Sequence, residues 1–228
     1  MKNIRSALVA VLVVLLVGFV VYTLWPKPGV PPAEKQSTLL EFKIIKADLQ
    51  QWEINKYTTE FASLKTALEA NPESFDDLMA LGQIKKYVGD YAGAEQAWLR
   101  VSELRPKNST SFGDLADLYV NFTKDYGKAE QAYQVAIVNS MGEEKNIYFQ
   151  RNLYYFYKDY LKDDQKAEQA LRGGIAANPM SGELHILLGI FYKDRDMIPQ
   201  AIEQYEQGLA LSPDNDAARQ ELAELKKR

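Results

Sequence analysis

A four-residue pattern rich in alanine and glutamine recurs four times: Ala94-Glu95-Gln96-Ala97, Ala129-Glu130-Gln131-Ala132, Ala167-Glu168-Gln169-Ala170 and Ala201-Ile202-Glu203-Gln204. The four starts lie 35, 38 and 34 residues apart. Prolines keep the same clock. Pro72 and Pro106 are 34 residues apart, as are Pro179 and Pro213; the middle interval is 73, and Met141 stands where a further proline is due. Self-similarity at such a period constrains the fold more than any composition figure. A unit of that size is one supersecondary element that cannot bury its apolar face alone, so neighbouring units must stack.

Residue types within the period predict paired helices. Small residues at Ala94, Ala129, Ala167 and Ala201, with Gly82, Ala116 and Gly189 on the preceding helices, allow close helix approach. Leu81, Trp98, Leu115, Tyr133, Leu153, Leu171, Leu188 and Tyr205 supply the bulk between them. Asn71, Asn108, Asp90 and Asp163 stand near the turns as helix caps. Pro199 fits a first helical turn, where its missing N–H costs little.

The segment Phe75–Asn108 carries Leu78, Leu81-Gly82, Gly89-Asp90-Tyr91, Ala94, Trp98 and Pro106; the segment Gly182–Asn215 carries Leu188-Gly189, Tyr192, Ala201, Tyr205, Gly208, Leu211 and Pro213. These offsets resemble the tetratricopeptide repeat family, whose 34-residue unit reads W-x2-L-G-x2-Y…A-x3-F…P. Lys85 stands where that family has tyrosine, and Val101 replaces a later alanine. The two middle units share Leu115/Leu153, Tyr119/Tyr157, Lys124-Asp125/Lys162-Asp163 and Lys128-Ala129/Lys166-Ala167, each with one extra residue in its turn; about three more fall near Glu144–Asn146. The resemblance implies an all-α helix–turn–helix solenoid of four to five repeats. The expected organisation is a degenerate leading helix pair over 36–73, repeats over 74–215 and an amphipathic capping helix over 216–228. In the leading pair, helices are expected over about Gln36–Gln51 and Tyr57–Asn71, giving eleven helices beyond the spacer when the repeats and the cap are included.

Ahead of the repeats lie a short tail (1–6), an uncharged apolar run over 7–25 and a proline-rich spacer over 26–35. The nineteen-residue run spans roughly 28 Å as a helix, close to the ~30 Å hydrocarbon core of a bilayer. It is longer than a usual signal-peptide core, and Leu24-Trp25-Pro26 offers no small-residue cleavage site. It therefore reads as one transmembrane helix. Lys2 and Arg5 precede it, as in an export signal, so the N-terminus is expected in the cytoplasm and the repeats outside it, in the periplasm or at the cell surface. The spacer should run extended at ~3.1 Å per residue, either holding the repeats off the membrane or simply stopping the helix.

Chemistry is narrowly bounded. With no Cys there is no disulfide, thiolate nucleophile or thiolate metal site, and with His185 as the only His any Ser-His-Asp arrangement must use it. Adjacent carboxylates such as Asp76/Asp77 and Asp163/Asp164 diverge on a helix and read as caps and solvated turns. No glycine-rich phosphate loop is present, and Gly173-Gly174 reads as close packing or local weakening of a helix. Beyond Lys27 the chain carries a net charge of −7, with basic residues clustered only at Lys226–Arg228, which argues against nucleic acid. The sequons Asn108-Ser109-Thr110 and Asn121-Phe122-Thr123 read as accidental. The expectation is a non-enzyme without metal, cofactor or small-molecule substrate.

The family resemblance further implies a concave groove lined by positions two, five, nine and twelve of each first helix. Carried over, these are Asp76, Met79, Gln83 and Lys86; Gly113, Asp117 and Val120; Tyr148, Arg151, Tyr155 and Lys158; and Glu183, Ile186, Ile190 and Lys193. The Lys/Asn/Arg clamp that some relatives use for a C-terminal carboxylate is missing at Met79, Gly113 and Ile186. The run Tyr154–Tyr157 with Tyr160 is divided between core and groove, Tyr155 being the groove candidate. The implied function is a membrane-tethered module that binds protein or peptide segments, as an assembly factor, scaffold or chaperone-like client binder of the cell envelope. The alternative is a structural subunit of a larger envelope complex, such as secretion, pilus or cytochrome maturation machinery.

Overall fold

The computed structural model describes residues 39–227. The apolar run 7–25, the spacer 26–35 and the first residues of the leading segment lie outside the described residues. Ten α-helices and no strand occur among the described residues, which fall into two compact units, 39–139 and 140–227.

The first unit holds α1 (Gln51–Ala70), α2 (Phe75–Tyr87), α3 (Tyr91–Leu104), α4 (Ser109–Leu118) and α5 (Tyr126–Asn139). Consecutive helices pack against each other, so α2/α3 and α4/α5 are two helix pairs preceded by a lone second helix, α1. Ala94 and Ala129 are fully buried, as are Leu81, Trp98 and Leu115. Gly82 shows why a small residue is required on α2: a Cβ there would lie 2.3 Å from the Trp98 indole nitrogen. Trp98 fills the space and donates to the Met79 carbonyl at 3.4 Å.

The second unit holds α6 (Lys145–Tyr155), α7 (Asp164–Ala177), α8 (Gly182–Lys193), α9 (Ile198–Leu211) and α10 (Asp216–Leu225). Here α6/α7 and α8/α9 are the pairs, and α10 caps α9 with buried Ala218 and Leu225. Ala167, Ala201, Leu171, Leu188 and Tyr205 are buried as the repeat pattern requires. Gly174 is a site of close packing, since a Cβ on it would meet Gln150 and Leu184, each at 3.2 Å. Asp90, Asn108 and Asp163 cap α3, α4 and α7, accepting from Gly93, Ser111 and Lys166 amides at 3.0, 2.8 and 2.9 Å. Asn71 instead follows the last turn of α1.

Two differences from the sequence reading are instructive. The helix expected over about Gln36–Gln51 is non-helical over 41–50, and α1 begins at Gln51, six residues before the expected start. The segment is held as a strap instead. Ile45 and Lys46 amides donate to the Val88 carbonyl at 2.8 and 2.9 Å, the Lys85 ammonium donates to the Glu41 carbonyl at 2.8 Å, and Phe42 stacks on Phe61 at 4.7 Å. Gly89, at φ 84°, gives the strap room, because a Cβ there would sit 2.9 Å from the Lys46 amide nitrogen. Leu39, Leu40 and Phe42 pack on the core of the first unit from this strap, whereas Ile44 and Ile45 stay exposed.

The second difference is how the middle units absorb their extra residue. α4 and α6 each run on into a π-helical turn, Tyr119–Thr123 and Phe156–Leu161. Each turn ends in a lysine of left-handed conformation, Lys124 at φ 58° and Lys162 at φ 54°. An extra residue is commonly accommodated in a helix as such a widened turn. Among the described residues no helix is long and apolar enough to cross a membrane.

Candidate interaction surface

In the first unit, the first helices α2 and α4 lie side by side through polar groups. Lys86 pairs with Asp117 at 3.1 Å, and Asn121 donates to the other Asp117 oxygen at 2.7 Å. The Lys86 ammonium also lies 5.7 Å from the Trp98 ring centre and 5.8 Å from that of Phe122. Gln83 hydrogen-bonds Asp114, a residue absent from the sequence-derived set. Burial raises the Asp114 carboxyl to about 6; Lys86 and the Gln83 bond oppose that rise, and Asp117 adds to it. Asp76 is exposed, while Met79 and Gly113 are half-buried. Val120 is 2% exposed and therefore belongs to the core. It lies in the π turn, where the widened backbone changes which positions face inward.

The raised Asp114 carboxyl gives a signed expectation. The folded state holds its proton up to about pH 6 and the unfolded chain only to about pH 4, so ionisation of Asp114 opposes folding as pH rises between those values. Asp114→Asn should leave stability unchanged near pH 4 and raise it above pH 6, by about 3 kcal/mol at most. Urea denaturation of both proteins at pH 4 and pH 7.5 measures the difference.

In the second unit, α6, α8 and α10 form the corresponding first-helix surface. Arg151 pairs with Glu183 at 2.7 Å, Lys158 with Asp194 at 3.7 Å, and Lys193 with Glu221 at 2.8 Å. Tyr148 and Tyr155 are 50% and 38% exposed, and Arg151 lies over the Tyr148 ring at 5.3 Å. Ile190 is half-buried and Ile186 only 9% exposed, so Ile186 serves the core. Lys158 occupies the position that matches Val120, and reaches outward with its ammonium 5.7 Å from the Tyr154 ring centre. Tyr154, Phe156 and Tyr157 are buried, whereas Tyr155 and Tyr160 are exposed. Tyr154 packs edge-on against Phe191, and its buried hydroxyl finds no partner. Burial is the main cause that pushes that hydroxyl's pKa well above its ordinary value.

The structure thus brings Gln83, Lys86 and Asp117 together in one unit, and Tyr148, Arg151, Tyr155, Lys158, Glu183, Ile190 and Lys193 on one layer of the other. Sequence reasoning missed the acidic partners Asp114, Asp194 and Glu221. A signal for such partners existed: Lys86–Asp117, Arg151–Glu183 and Lys193–Glu221 join residues 31, 32 and 28 apart, close to one repeat. His185 is 9% exposed with its Nδ1 2.9 Å from Gln204 Oε1, a packed imidazole. Among the described residues no group of three His, Asp or Glu side chains is placed to hold a metal ion.

No protein-family model and no curated protein sequence matches the chain. Solved structures do. One crystal structure of MamA, a tetratricopeptide-repeat protein, aligns with a TM-score of 0.53 at 18% identity, over 72% of this chain and 96% of its own. Another MamA structure gives 0.52 at 18% identity, over 80% and 94%. YrrB, described as a TPR protein with an unusual peptide-binding site, gives 0.48 at 18% identity, over 68% and 77%. At these identities the MamA likeness speaks for the fold, and it agrees with the helix pairs and buried small residues described above. The chain has the tetratricopeptide-repeat fold.

Proposed function

We propose that the chain is a membrane-tethered protein-interaction module, working in the cell envelope as an assembly factor, scaffold or client binder. The observation that carries the interaction reading is the first-helix surface of residues 140–227. Two tyrosines, Tyr148 and Tyr155, stand exposed there on a layer braced by ion pairs between neighbouring helices. Tyrosine combines apolar area with a hydrogen-bonding tip at low entropic cost, which suits a contact residue. The tether rests on the uncharged run 7–25, long enough to span a bilayer. The basic tail before it supports a reading with the N-terminus in the cytoplasm and the repeats outside.

Partner co-purification from solubilised membranes tests the interaction. A partner recovered with the wild-type chain should be lost with the double variant Tyr148→Ala/Tyr155→Ala, whose helical circular dichroism and thermal midpoint stay unchanged. Retention of a stoichiometric partner by that variant would indicate a structural subunit docked through other faces. Protease added to spheroplasts tests the topology separately: the repeats should be digested with the membrane intact, and protection until the membrane is breached would refute the placement.

A further inference from the structure

We infer that the first-helix surface of residues 140–227 selects an extended, uncharged segment bearing aromatic or aliphatic side chains, and that it discriminates against acidic segments. This deepens the interaction reading above and rests on it. The deciding observation is where the surface's cations are spent. Arg151, Lys158 and Lys193 each sit against an acid of the neighbouring element of the layer: Glu183 of α8 at 2.7 Å, Asp194 just past the end of α8 at 3.7 Å, and Glu221 of α10 at 2.8 Å.

Such half-exposed pairs add little stability, since solvent screens them. Their consequence is electrostatic. Each cation is compensated in place, so the layer presents no net positive field to a carboxylate, and an incoming acid would have to displace a resident one. Arg151 is further engaged over the Tyr148 ring at 5.3 Å, and Lys158 lies 5.7 Å from the centre of the Tyr154 ring. What the layer does offer is apolar. Tyr148 and Tyr155 are seven residues apart on α6, which puts them on one helix face about 10.5 Å apart along the axis. Ile190, on α8 of the same layer, is half-buried. A segment bound in the extended polyproline-II conformation advances ~3.1 Å per residue with three residues per turn, so side chains three residues apart share one face and come close to the tyrosine separation.

A random twelve-residue peptide library, panned against the full-length chain in detergent, tests the selectivity. Enriched peptides should carry two aromatic or aliphatic residues three apart and no net negative charge. Their Kd should change by less than about twofold between 50 and 300 mM salt, because no charge pair is made on binding. Tyr155→Ser and Tyr148→Ser, both at exposed positions, should each weaken binding by about tenfold or more, in the range of a contact worth above 1 kcal/mol. Enrichment of acidic peptides that lose affinity tenfold with salt, yet still depend on Tyr148 and Tyr155, would overturn the selectivity while leaving the surface in place. Binding indifferent to both substitutions, or no enrichment at all, would overturn the surface reading and the selectivity with it.

Discussion

Replacing Trp98 with alanine is expected to destabilise the unit 39–139 by about 3–5 kcal/mol, the usual cost of truncating a fully buried aromatic. Trp98 is inaccessible to solvent and lies against Gly82 so closely that the glycine's missing Cβ is part of the fit. The contact can be tested as a cycle. Gly82→Ala alone should also destabilise, because the new methyl would lie 2.3 Å from the indole nitrogen. In the Trp98→Ala background the same methyl enters the vacated space, and alanine's better helix propensity should make it neutral or favourable. Amide hydrogen exchange of α2 and α3 in the four proteins reads the coupling; simple additivity would mean that the two residues do not share the site as described.

Lys85→Met is the second large effect, and it couples stability to the strap. The Lys85 ammonium is buried, with its Nζ 2.7 Å from Asp90 Oδ2, 2.8 Å from the Glu41 carbonyl oxygen and 5.7 Å from the Phe61 ring centre. Removing the cation leaves the Asp90 carboxylate buried and uncompensated, a loss of about 3–5 kcal/mol. It also removes the bond to Glu41, so the Ile45 and Lys46 amides should exchange faster than those of α4 and α5. Adding Asp90→Asn should restore much of the stability, because it removes the stranded charge while asparagine can still cap α3. The strap amides should stay fast in that double variant. If stability returned together with strap protection, the Glu41 contact would be incidental.

The repeat itself was legible because small and bulky residues recur at fixed offsets. Ala94, Ala129, Ala167 and Ala201, predicted as close-packing positions from spacing alone, are all fully buried. The strap was not legible, because Leu39, Leu40, Phe42, Ile44 and Ile45 carry the density of an amphipathic helix without showing which backbone presents them. What holds the segment in place is distant: Val88 and Lys85 lie some forty residues on. The extra residue in each middle unit could be counted from the sequence, but its placement as a π turn depends on tertiary packing. That placement moved Val120 into the core, while its counterpart Lys158 remains half-exposed because a long side chain can reach outward. Of the acids that neutralise the surface, Glu183 stood among the sequence-derived residues, whereas Asp194 and Glu221 did not, because a spacing of about one repeat marks a pair only once the helices are known to stack.

The interaction surface is tested most directly by site-specific photocrosslinking in native membranes, with a photoreactive phenylalanine analogue placed in the full-length chain at Tyr155 or at Gln207. Both positions are exposed; Tyr155 is on the first-helix layer and Gln207 on the second helix α9. The proposed function requires a defined protein adduct from position 155 that Tyr148→Ala weakens, with no matching adduct from position 207. Adducts of equal yield from both positions, or adducts from position 207 alone, would contradict it.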